Sequence, residues 1–310
     1  MPPSVLEQLS AGALDWLVGN LDHFDPFPAT VPSAHHARAK AALELGLLCH
    51  RAARPDGVPD PLAPATALVR KLWQDPDFPR LFEDSPAYAS TYRLVYAALA
   101  PDGIDTTPCR QALAELDPAF LLPEGKSPYL RVEVRYYADM AGVRHGIEPY
   151  AALLPRSPLL AFRAAAPPSP GVPAAPLTVP EAYALTHTAF YLGDFGRADP
   201  GLSGTGLAHA RSLTHAMLRH CVAEDLWDLA AELVLTQFVL GEDPLRTPAG
   251  TAAVESLARA QRPDGALPGR SAALAAAPGA PAGEFFRSAY HTTLVTALMA
   301  SIVTSPRRLP

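Results

Sequence analysis

VPEAYALTHTAFYLGDFGR, residues 179–197, reads as one helix that opens after a proline-rich loop and closes at Gly193 and Gly196. Pro180 suits the start, where a missing N–H is no loss. Tyr183, His187, Tyr191 and Asp194 follow one another at steps of four, four and three. At 3.6 residues per turn those steps hold all four side chains on one face. That face carries an imidazole, two phenols and a carboxylate, while the other sides are Ala, Leu, Val and Phe. One reading makes it a polar seam in which each group has a hydrogen-bond partner inside a core. The other makes it the polar wall of a central pocket.

The same helical pattern runs outward from this stretch in both directions. Toward the N-terminus, residues 3–21 place Leu6, Leu9, Ala13 and Leu17 on one stripe. Residues 33–53, 64–74 and 85–100 follow. A helix begins at Thr106 or Thr107 with Pro108 just inside, and Ser127-Pro128 opens another that runs to residue 143. Residues 147–162 are helical but interrupted by Pro155 and Pro158. Toward the C-terminus come residues 205–222, 226–240, 248–262 and 284–304. No run alternates apolar and polar residues between turn signals, as a half-buried strand would. The expectation is an all-α chain of about twelve helices in antiparallel hairpins. Six hairpins close into an (α/α)6 toroid; an open hairpin solenoid or two separate bundles use the same pattern. Residues 1–310 are read as one helical domain with a Pro-rich loop at 164–178, expected to be exposed and poorly ordered. The alternative puts a boundary between two helical halves at that loop.

Composition narrows the function. A chain that is 49% hydrophobic and 18% charged has ample material for a core. A net charge of −6, with no run of Lys or Arg, argues against nucleic acid as a partner. Cys49, Cys109 and Cys221 are far apart and odd in number, which favours neither a disulfide framework nor a Cys-based zinc site. The first residues lack a basic n-region, and the longest apolar run, residues 294–303, is too short to span a bilayer. A cytoplasmic protein without a membrane partner is expected.

Two resemblances add to this. LARAQRPDGALPG, residues 257–269, is similar to the glutamine-tryptophan repeat of terpene-cyclase and prenyltransferase toroids, with Leu267 in place of the Trp. There the Gln caps an outer-to-inner helix connection. The resemblance implies a hairpin toroid and no terpene chemistry, since neither D-D-x-x-D nor D-x-D-D occurs. The phrases HFDPF, THTAFYLGDFG and YHTTLV resemble an uncharacterised all-helical family associated with natural-product gene clusters of GC-rich bacteria. That resemblance spans nearly the whole chain and implies a tailoring or accessory role.

The candidate site brings His187, Asp194, Tyr191, His291 and Tyr290 together as catalytic groups, with Tyr183 and Asp264 binding substrate. His187 would be the acid or base, Asp194 its orienting partner, and Tyr191 or Tyr290 a proton donor. The chemistry is cyclisation, elimination or isomerisation of a mostly apolar small molecule or peptide, with no cofactor required. A metal-dependent alternative takes His187, Asp194 and His291 as ligands for iron or zinc. A third reading is a non-catalytic scaffold that binds a peptide or partner protein. Seven residues of helix put His187 and Asp194 about 10 Å apart along the axis, which is awkward for one ion. Asp225, Asp228 and Glu232 in EDLWDLAAE read as a solvated acidic first turn favoured by the helix dipole. Arg131, Glu133 and Arg135 read as pairs on a helix surface.

Overall fold

The computed structural model describes residues 4–27, 32–52, 60–165, 175–269 and 282–305. The core of the loop read at 164–178 lies outside them, as do the side chains of His35 and His36. Among the described residues there are thirteen α-helices, two of them single turns, and no strand. In chain order they are α1 (Val5–Gly19), α2 (Pro32–Ala52), α3 (Ala63–Gln74), α4 (Ala89–Ala98), α5 (Thr107–Ala114) and α6 (Pro128–Met140). Then come α7 (Tyr150–Leu153), α8 (Pro158–Ala161), α9 (Val179–Leu192), α10 (Gly204–Ala223), α11 (Trp227–Val239), α12 (Pro248–Ala260) and α13 (Ala282–Thr304).

The starts follow from local chemistry. Thr178 caps α9 in a capping box with Glu181, and Ser4 does the same for α1 with Glu7. Ser127 and Thr247 accept the N–H groups of Leu130 and Gly250, each with Pro as the first helical residue. Pro155 and Pro158 reduce residues 150–161 to two short helices joined by a 3-10 turn.

Six helices follow one another round a cycle of contacts: α2 packs on α4, α4 on α6, α6 on α9, α9 on α11, α11 on α13, and α13 back on α2. The helices between them in sequence pack against this set and against one another, as in α3 on α5, α10 on α12 and α12 on α1. One apolar cluster runs through all of them, from Leu6 to Ala300. Trp73, Tyr96, Phe24, Phe78 and Phe82 are its largest fully buried members. All three cysteines are buried and free. No helix among the described residues is long and apolar enough to cross a membrane.

Candidate functional site

A cavity of about 180 Å³ lies where the six cycling helices meet, and every one of them lines it. α2 supplies Lys40 and Glu44, α4 Tyr92, α6 Glu133, α9 His187, α11 Glu232 and α13 His291. In each helix an apolar or aromatic residue follows about one turn later: Leu47, Val95, Tyr137, Phe190, Leu235 and Leu294. One turn brings such pairs onto the same face. The result is a tier of ionisable groups that touch one another, beside a tier of apolar wall. α1, α3, α5, α7, α8, α10 and α12 supply no lining residue.

The ionisable tier is two connected strings. In the first, Lys40 Nζ lies 2.5 Å from Glu44 Oε1, and Glu44 Oε2 lies 3.3 Å from His291 Nδ1. His291 Nε2 lies 3.5 Å from Asp228 Oδ1, and the Tyr183 hydroxyl donates to Asp228 Oδ2. In the second, Thr186 Oγ1 donates to Glu232 Oε2, and Glu232 Oε1 lies 3.4 Å from His187 Nε2. His187 Nδ1 meets the Tyr129 hydroxyl at 3.2 Å. Beside this string the Tyr191 hydroxyl donates to Glu133 Oε1 at 3.0 Å.

Charge and burial set the protonation of these groups. Burial opposes the His291 imidazolium, but the Glu44 and Asp228 carboxylates outweigh it and hold its pKa up at about 9. Burial likewise opposes the Glu44 carboxylate, yet His291 and Lys40 draw it down to about 2. His187 is raised because Glu232, and then Glu133, overcome its burial. Glu232 is lowered despite burial, chiefly by His187. Burial raises Glu133, with His187 pulling the other way, and burial raises Asp228 against the pull of His291.

The helix face that opened the sequence reading divides here. His187 and Tyr191 line the cavity, while Tyr183 does not and is linked to it only through Asp228 and then His291. His291 lines it too, and Tyr290 sits one contact away, 3.5 Å from Lys40 Nζ. Asp194 does not join them. α9 stops at Leu192, and Asp194 and Phe195 take left-handed backbone with φ of 43° and 56°. The carboxylate thereby leaves the His187 face and pairs with buried Arg51 at 2.8 Å, accepting also from the Tyr136 hydroxyl at 2.8 Å. The ligand set His187, Asp194 and His291 is thus not brought together. Asp264 is also elsewhere. It is exposed in the turn after α12, where Oδ1 accepts the N–H of Ala266 and faces Arg262.

Two acidic readings are corrected. Asp228 and Glu232 are not a solvated turn: Glu232 is 2% exposed and lines the cavity, and Asp228, half-buried, lies against His291. Their helix is buried almost continuously from Leu229 to Val239. A helix that is apolar all round must bury whatever charge it carries, and that signal was present in DLAAELVLTQFVL. Glu133 is not a surface partner of its neighbours either. Arg131 and Arg135 pair with Glu148 and Asp139, while two residues' rotation of roughly 200° turns Glu133 to the cavity. Lys40 and Glu44 stand alone as charges in AKAALELGLL, a helix otherwise apolar there. Asp228, Glu232 and His291 each offer a ligand atom within 4.8 Å of the other two.

This is an all-helical protein with a small, apolar-walled cavity whose ionisable groups are gathered at one side. The chain belongs to the family described as a domain of unknown function (DUF6895), which matches it over residues 10–301. No curated protein and no solved structure matches the chain.

Proposed function

We propose that the chain is a hairpin-toroid enzyme performing proton-transfer chemistry on a mostly apolar small molecule held in the central cavity. The observation that carries this is His187, set between Glu232 and Tyr129 on the cavity wall. Tyr129 occupies Nδ1, and the 3.4 Å contact of Nε2 with Glu232 is loose enough for a substrate group to replace. His187 Nε2 exchanges the proton, and Glu232 steadies the imidazolium. Glu133, whose pKa burial raises above the usual carboxyl value, faces the same space and is the proposed proton donor. Carboxyls whose environments push their pKa values apart are the usual signature of an acid and a base in one site. The cycle of helix contacts supports the toroid. A cavity of about 180 Å³ suits a small molecule better than a peptide strand. Cyclisation, elimination and isomerisation all fit, and a tailoring step in secondary metabolism is the setting proposed.

The test compares metabolites from a producing strain lacking the gene after complementation with wild type or His187→Ala. Wild type is expected to restore a product, and the variant to make it at a rate lower by roughly 10²–10⁴, the range for losing a positioned proton-transfer group. The purified variant should melt close to wild type, because His187 lines space rather than filling core. Full restoration by the variant, or a lowered melting temperature with activity per folded molecule unchanged, would overturn the proposal.

A further inference from the structure

Asp228 Oδ1 is buried, and among the described residues no hydrogen bond reaches it. A buried carboxylate oxygen that accepts no hydrogen bond is costly, and such an atom calls for an explanation. His291 Nε2 lies 3.5 Å from it, and Glu232 completes a set whose ligand atoms all lie within 4.8 Å of one another. Two ligands bound tetrahedrally to one ion at 2.0–2.2 Å stand about 3.4 Å apart. The separation of Asp228 Oδ1 and His291 Nε2 is thus long for a hydrogen bond and right for two corners of a metal polyhedron.

The far atoms of all three side chains are held as metal ligands usually are. Asp228 Oδ2 accepts from the Tyr183 hydroxyl, and Glu232 Oε2 accepts from Thr186 Oγ1. His291 Nδ1 faces Glu44 Oε2, which Lys40 braces through the other oxygen. A carboxylate behind the distal nitrogen of a ligating histidine fixes its tautomer and raises its basicity. To ligate through Nε2, His291 gives up the Nε2 proton and keeps the one on Nδ1, which faces Glu44 Oε2.

We propose that Asp228, Glu232 and His291 bind one divalent first-row cation, zinc or manganese in class, with at least one coordination position open to the cavity. Two carboxylates and one imidazole suit such ions, imidazole favouring zinc and carboxylate favouring manganese. His187, 3.4 Å from Glu232 Oε1, borders the site and is placed to accept a proton from a water on the ion. The cation site stands on its own geometry and does not depend on the proton-transfer reading.

Metal binding can be read without a substrate. Tag-free protein is stripped with chelator and titrated calorimetrically with Zn²⁺ and, separately, with Mn²⁺, and the bound metal is counted by mass spectrometry. One equivalent of at least one cation is expected, with a rise in melting temperature. Asp228→Asn and His291→Gln should each weaken binding at least tenfold. Tyr183→Phe removes only the hydroxyl behind Asp228 and should weaken it roughly 10–100-fold, the range for a lost supporting contact. Circular dichroism and melting of each stripped variant establish that it is folded. Absence of one-to-one binding for both ions overturns the site, as does unchanged affinity in folded Asp228→Asn and Tyr183→Phe. Binding that persists while His187→Ala leaves product formation intact would remove the proton-transfer reading alone.

Discussion

Glu133 lines the cavity without an ion pair among the described residues, supported by the hydroxyls of Tyr191, at 3.0 Å, and Tyr129. Burial raises its folded pKa above the usual value near 4.5. Below pH 4.5 folded and unfolded chains both carry the proton, so the group is neutral in its effect. Above that, the unfolded chain releases it while the folded chain keeps it, and stability falls as pH rises. Once the pH passes the raised folded pKa the loss is complete and constant. Glu133→Gln keeps an acceptor for Tyr191 and removes the titration. Its melting temperature relative to wild type should therefore climb from about pH 4.5 upward and then level. A difference that is flat with pH, or that falls, would show that burial does not raise the Glu133 pKa. Residues of this kind explain what was legible at this scale. His187, Tyr191 and His291 were readable because an imidazole or phenol on an apolar helix is anomalous by itself. Glu133 was masked by Arg131 and Arg135 on either side, which made an ordinary surface pattern of one inward and two outward charges.

Helix ends decide which side chains share a face. Extending α9 through residues 194–197 kept Asp194 on the His187 face, but the helix ends at Gly193 and the left-handed pair Asp194–Phe195 swings the carboxylate to Arg51. Sequence spacing is reliable only while the helix continues. The connection between α12 and α13 behaves otherwise. Gln261 ends α12, and its Nε2 donates to Leu9 O of α1 at 3.0 Å and to Gly265 O at 3.1 Å. Leu267, standing where the repeat has Trp, is fully buried, and its N–H meets Thr293 Oγ1 of α13 at 2.9 Å. Gly265 has φ of 92°, and a Cβ there would lie 2.0 Å from the Gly12 carbonyl oxygen of α1. Gly265→Ala should cost roughly 1–3 kcal/mol in backbone strain and more as α1 is pushed from the turn. Gly125, with φ of 71° and nothing within 4 Å, provides the control, since Gly125→Ala adds strain without a clash. Chemical denaturation of the two variants should place Gly265→Ala well below Gly125→Ala. Equal losses would mean that α1 does not rest on this turn.

At the scale of the molecule, the pairing of helices was not readable, because periodicity says which face is apolar and not which neighbour covers it. Contacts such as His291 to Glu44, 247 residues apart, arise only when the last helix packs on the second. That arrangement bears on whether residues 164–178 divide the chain into two halves. The half before the loop contains α1 to α8 and the half after it α9 to α13. Contacts cross between them at α6 with α9, α8 with α9, α2 with α13, and α1 with both α12 and α13. Each half thus depends on the other at two separate seams, and neither can bury its share of the cavity wall alone. Unfolding should be one cooperative transition, with calorimetric and van't Hoff enthalpies equal. Leu94→Ala in α4 and Leu233→Ala in α11 test this, since both side chains are essentially fully buried and lie on opposite sides of the loop. Each should cost roughly 2–5 kcal/mol and lower the same single transition. The double variant should lower it by close to the sum, as distant sites do. Two resolved transitions, one shifted by Leu94→Ala and the other by Leu233→Ala, would show instead that the halves melt independently and that the boundary at the loop is real.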